Sequence, residues 1–129
     1  MEPVETFFER YLDAWNDPAR LQEFYAAPFI AARLGVTQLN ETRADTERFF
    51  QDVLAKYRSR GFSASRRLSF QSIPLGSNSV LATIAWAYED PSGSTLWEWT
   101  FSYNLYVVNG RWQIVLQTLH DSPVDAGGA

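Results

Sequence analysis

Residues able to do chemistry are few in this chain. His120 is its single histidine, and histidine is the side chain whose ordinary pKa lies near neutrality. Two readings of it stand: a general acid/base or ligand hydrogen-bonder, or a satisfied core histidine. Asp121 is adjacent, but in a continuing strand it points to the opposite face, so the two do not make a ready dyad. Arg33 and Arg66 could recognise a carboxylate or another anionic oxygen; Arg66 could equally snorkel at a sheet edge. There is no cysteine, which excludes disulfides, thiolate metal sites, iron–sulfur clusters and a cysteine nucleophile. One histidine excludes multi-histidine metal sites. No metal or cofactor is expected. No serine has a histidine partner by position, and the glycines sit at turns rather than in a phosphate-binding loop.

The 129 residues carry 15 acidic and 11 basic side chains, a net charge of -4. That sign argues against nucleic acid as a partner. Arg58, Arg60, Arg66 and Arg67 form a local basic patch that reads as a solvated helix end. No run of about 18 apolar residues exists to span a membrane, and the N-terminus lacks a basic, apolar leader; the expected location is cytoplasmic. Length predicts one domain, residues 1–121, with a C-terminal tail, 122–129, that frays. The hydrophobic fraction is 46% and the aromatic fraction 16%, and so many rings need something to pack against.

The first half reads as helices. Val4, Phe7, Phe8, Tyr11, Leu12 and Trp15 fall on one helical face. Asp17-Pro18 starts a short second helix carrying Leu21, Phe24 and Tyr25. A third runs from about Thr42 to Arg60, with Thr42 and Asp45 as a capping box, Phe49, Phe50, Val53, Leu54 and Tyr57 as its face, and Gly61 as its stop. Between the last two, residues 29–39 predict one or two short strands turning at Gly35. The second half predicts a four-stranded antiparallel meander over about 62–73, 80–89, 95–108 and 111–120.

Asn109-Gly110 is a two-residue hairpin turn. It pairs Val108 with Arg111, and counting outward sets Leu105 opposite Ile114, Tyr103 opposite Leu116 and Trp99 opposite His120. One sheet face then carries Trp97, Trp99, Phe101, Tyr103, Leu105, Trp112, Ile114, Leu116, Thr118 and His120. The preceding hairpin, with Asp90–Gly93 as its loop, adds Val80, Ile84 and Trp86 to that face. The strand before adds Phe62, Leu68 and Phe70, with Arg66 among them. The opposite face carries Thr83, Ala85, Thr100, Ser102, Tyr106, Gln113, Val115, Gln117 and Leu119. A curved sheet covered by helices on its aromatic side leaves either a solid core or a funnel-shaped pocket.

This order of elements, closing in the hairpin Asn109-Gly-Arg-Trp-Gln-Ile-Val115, resembles the nuclear transport factor 2-like superfamily, with its SnoaL-like cyclases and ketosteroid isomerases. The resemblance covers about residues 3–121. It implies an α+β fold, a curved mixed β-sheet cone wrapped around three N-terminal helices (a cystatin-like α+β roll). It also implies a pocket at the wide end and dimerisation through the outer sheet face. The isomerases use a tyrosine on the first helix and two carboxylates. Here Tyr11 matches the first, while Arg33 and Tyr103 stand near the carboxylate positions. A cation cannot abstract a proton as a carboxylate does, so isomerase chemistry is not implied.

The expected role is binding of a small apolar or aromatic molecule, with room for an anionic end. Trp15, Arg33, Phe50, Leu54, Arg66, Trp86, Trp97, Trp99, Phe101, Leu116 and Thr118 would line the pocket. The alternative is an enzyme of the same family performing isomerisation, dehydration or cyclisation, with His120, Tyr11 and Tyr103 as acid/base groups. A structural or accessory dimerisation module is a third. The polar face, broad and sparsely charged, predicts a homodimer.

Overall fold

The computed structural model describes residues 1–121; the tail for which fraying is predicted lies outside the described residues. Helix α1 (Val4–Ala14) turns Phe7, Phe8, Tyr11 and Ala14 inward. Asp17 caps α2 (Pro18–Leu21), its side chain accepting from the Ala19 N–H, with Pro18 in the first turn. A 3-10 turn at Gln22–Phe24 leads straight into strand β1 (Tyr25–Arg33), and β2 (Val36–Asn40) returns from it. Thr42 and Asp45 form the expected capping box on α3 (Arg43–Ser59). Strands β3 (Ala64–Pro74), β4 (Ser79–Glu89), β5 (Thr95–Val108) and β6 (Arg111–Leu119) form the meander. Among the described residues no helix is long and apolar enough to cross a membrane.

All six strands join one sheet in the order β2-β1-β6-β5-β4-β3. The meander is antiparallel, and β1 lies parallel to β6, so the sheet is mixed. It curves around the three helices, the α+β architecture expected. Four of the five tryptophans, Trp86, Trp97, Trp99 and Trp112, share the inner face, and Trp15, the C-cap of α1, packs against the same core through Tyr57 and Phe62.

Three irregularities revise the register. The β4–β5 loop is longer than expected, with Leu96 unpaired, so Trp86 faces Trp99 and Ile84 faces Phe101. That shift is by two residues, which preserves the faces. In β6 the expected pairing holds as far as Leu105 opposite Ile114. Val115 then bulges, and Asn104 faces Leu116 while Tyr103 faces Gln117. One extra residue exchanges the two faces. Gln117 and Leu119 are therefore buried inside, and Leu116, Thr118 and His120 stand on the outer face, against expectation. In β3 Leu68 is the extra residue: Arg67 faces Trp86, and Ser69 faces Ala85. Arg66 therefore projects outward, where it pairs with Glu89 at 2.8 Å. Arg67 takes the inner side, bound to Glu5 and lying 5.4 Å from the Phe70 ring centroid.

Candidate functional site

The depth of the cone is filled. Tyr11, Tyr25 and Tyr103 are at most 2% exposed, and each hydroxyl is hydrogen-bonded within the core. Trp86 Nε1 donates to Tyr103 Oη (2.8 Å), and the Tyr103 ring meets Tyr11 edge-on, 5.7 Å between centroids. Tyr11 donates to Tyr25 Oη (2.7 Å), and Tyr25 to Gln117 Oε1 (2.5 Å). Each buried phenol thus has its partners, as burial demands. Removal from water pushes all three phenols well above their ordinary pKa. Tyr11 and Tyr103, expected at a pocket wall, are instead links of a sealed network. The bulge at Val115 makes this possible, because it turns Gln117 inward to end the chain.

Open space lies at the wide end. A cavity of about 360 Å³ opens between α3 and the β1–β2 hairpin, lined by Ala31, Arg33, Leu34, Val36, Gln38, Phe49, Val53, Lys56, Tyr57, Arg60 and Trp99. Its size falls within the range of small-molecule sites, roughly 300–1,000 Å³. Helical spacing on α3 brings Phe49, Val53, Lys56, Tyr57 and Arg60 to the same wall. Arg33, the last residue of β1, reaches across. Its Nη2 donates to Tyr57 Oη at 3.2 Å, and its guanidinium carbon lies 5.6 Å from the Trp99 ring centroid. Arg60 sits similarly over Trp97, at 5.8 Å. Burial raises the Tyr57 phenol, and Arg33 opposes that rise.

Charge is distributed unevenly. The chain is acidic as a whole, yet among the described residues three cations and no carboxylate line this cavity. Arg10, Arg20, Arg48, Arg66 and Arg67 each hold an acidic partner. Among the described residues Arg33, Lys56 and Arg60 hold none. A comparable volume, about 370 Å³, lies at the narrow end beside the Asn109-Gly110 turn, but Glu2 and Glu23 share its lining with Arg10, Arg20 and Arg111.

Of the expected lining residues, Arg33 and Trp99 border the cavity. Trp15 and Trp97 stand one ring further back: Trp15 stacks on Tyr57 at 5.4 Å, and Trp97 meets Tyr57 edge-on at 5.2 Å. Phe50, Leu54, Trp86 and Phe101 are core. Arg66, Leu116 and Thr118 are on the other side of the sheet. His120 is there too, exposed, its Nε2 2.8 Å from Ser102 Oγ, which in turn meets Thr83 Oγ1 at 2.8 Å. Nothing in the sequence pattern announces this serine–histidine pair, because the pairing depends on the bulge. Among the described residues no carboxylate bonds the other ring nitrogen. Sequence reasoning missed Tyr57, Lys56 and Arg60 as site residues. A signal existed for Tyr57, the last apolar position of α3, which stands between the basic residues Lys56 and Arg58.

Known proteins share this architecture. A family model described as NTF2-like protein (DUF6841) matches residues 1–122. No curated protein matches the sequence. Similar solved structures include an NTF2-like protein with a cystatin-like fold from Novosphingobium aromaticivorans, at a TM-score of 0.72 and 15% identity over 97% of this chain and 84% of that one. Aln2 from a Streptomyces species gives 0.75 at 12%, over 98% and 93%. An NTF-2 like protein of unknown function from Shewanella oneidensis gives 0.68 at 12%, over 92% and 96%. At these identities the likeness is one of fold.

Proposed function

We propose that this chain, which belongs to the NTF2-like family DUF6841, binds a small organic molecule with an apolar or aromatic body and an anionic end, at the mouth of its cone. The observation that carries the reading is Arg33. Its guanidinium is held between the Tyr57 hydroxyl and the Trp99 ring, on the border of a cavity that, among the described residues, two further cations and no carboxylate line. Guanidinium offers a planar fork to a carboxylate. Phe49, Val53 and Trp99 offer apolar surface beside it. Trp99 also supplies a fluorescence readout. 2-Naphthoate is expected to saturate a change in tryptophan emission. 2-Naphthamide, the same shape without charge, should bind roughly 10- to 100-fold more weakly, the range of one charge-assisted hydrogen bond. Arg33→Met should markedly narrow the difference, with Lys56 and Arg60 supplying what is left. Equal binding of the two probes, or binding unaffected by that substitution, overturns the reading.

A second reading concerns the outer sheet face, which the helices leave open. Strand register aligns Leu39, Ile30, Leu116, Asn104, Leu81 and Ile73 in one row across all six strands. Ile30, Leu39, Ile73 and Leu116 are exposed there. An apolar row on an uncovered face supports pairing of two copies through it.

A further inference from the structure

The β1–β2 hairpin turns on two residues, Leu34-Gly35, between the paired residues Arg33 and Val36. Both turn residues have positive φ, 51° at Leu34 and 79° at Gly35. That is the tight turn suited to strand twist, and its first position is normally Asn, Asp or Gly. Among the described residues the other non-glycine with positive φ is Asn109, the ordinary choice at the equivalent position of the β5–β6 hairpin. A leucine in this conformation crowds its Cβ against the carbonyl. It also exposes its side chain: Leu34 and Val36 are each 62% exposed. Conformation and solvation both disfavour leucine here, and folding gains nothing visible from it. Both side chains nevertheless line the mouth cavity, together with Lys56 of α3 and Arg60, its C-cap. The turn is tied down as well, since the Leu34 N–H donates to Asp121 Oδ1 at 3.3 Å. On the leucine side that bond uses only backbone, so it is independent of the Leu34 side chain.

We propose that Leu34 is a ligand-covering residue, and that the mouth takes an aliphatic carboxylate whose head lies among Arg33, Lys56 and Arg60 and whose chain runs out under Leu34 and Val36. This rests on the anion-binding reading above and extends it from a charged end to a ligand class. Arg33 is half-buried at the opening, and the exposed aliphatic pair shares its rim with the exposed cations Lys56 and Arg60. A short carboxylate would leave Leu34 in water, whereas a longer chain would cover it. Affinity must then grow with chain length. A buried methylene contributes up to roughly fourfold, and less where the chain is half-covered.

The test uses the full chain with hexanoate, octanoate and decanoate, each below its micellar concentration, read by tryptophan emission and calorimetry. The unsubstituted protein should gain roughly threefold or more in affinity for each two methylenes. Leu34→Asn relieves the backbone crowding, so its melting midpoint should rise by roughly 3–5 °C. At the same time it should bind decanoate scarcely better than hexanoate. A more stable variant with a flattened chain-length series is the expected result, and mere damage to the fold cannot produce it. If naphthoate binds through Arg33 but fatty carboxylates show no length dependence, this inference falls and the anion site stands. The inference falls equally if Leu34→Asn keeps the full dependence. If no carboxylate binds at all, both readings fall.

Discussion

At the scale of single residues, the direction of the hydrogen bonds decides which tyrosines are available to a ligand. Tyr25 donates to Gln117, so Tyr11 donates to Tyr25, and the Tyr103 oxygen is occupied by Trp86 Nε1, all within the core. Tyr57 differs because its oxygen meets Arg33 at the edge of open space. The buried phenols also set a pH limit. Burial raises Tyr11, Tyr25, Tyr88 and Tyr103 well above their ordinary value in the fold, while the unfolded chain releases those protons near pH 10. The unfolded state then binds fewer protons, and stability falls as pH rises. Their contribution is complete below about pH 10 and is lost above it. Urea midpoints should therefore hold up to about pH 10 and drop above it, with tyrosinate absorbance appearing together with unfolding. Full tyrosinate absorbance in a still-folded protein would show the phenols to be accessible.

Elements contribute through their ends and irregularities. Helix α3 supplies one wall of the mouth from Phe49 to Arg60, while its capping box lies at the end of the helix remote from Tyr57. Thr42→Ala removes the side-chain acceptor for the Asp45 N–H and should cost about 1 kcal/mol in chemical denaturation. Naphthoate affinity should be unchanged. A coupled loss of affinity would mean that the first turn of α3 helps to set the cavity wall. The bulges at Leu68 and Val115 have larger consequences, since each reassigns the faces of the residues on one side of it. Without the first, Arg66 would stand where Arg67 does. Without the second, His120 would face the core and Gln117 the solvent, and the phenol chain would lose its final acceptor.

For the whole molecule the question is what covers the convex side. The row from Leu39 to Ile73 is followed by a second, Thr37, Ala32, Thr118, Ser102, Thr83 and Gln71, which holds no charge. Two copies pressed face to face would remove the exposed aliphatic groups from water without burying ionised side chains from these rows. A stable pair should bury at least about 1,000 Å² in total. Sedimentation at micromolar concentration is expected to show a dimer, and Leu116→Glu, central in the first row, should give a monomer with an unchanged fold by circular dichroism. A native protein that sediments as a monomer would leave the outer face without this partner.

Much of this architecture follows from sequence patterns that act locally. A helical repeat buries Phe7, Phe8 and Tyr11, and the Asp17-Pro18 and Thr42-to-Asp45 signals start helices through hydrogen bonds made within one turn. Asn109-Gly110 determines its own hairpin because only residues tolerant of positive φ make that turn readily. The inner faces of β4 and β5 are legible too, since the longer loop shifts pairing by an even number. Arg33 and Trp99 stand out in the sequence and border the cavity in the fold. Tertiary structure decided the rest. Neither Leu68 nor Val115 differs in type from an ordinary strand residue, so their bulges depend on packing against neighbouring strands rather than on local preference. The cavity likewise depends on how far α3 stands from the β1–β2 hairpin. That distance is set by rings distant in sequence, Tyr25 and Phe29 of β1 packing against Phe49 and Phe50 of α3.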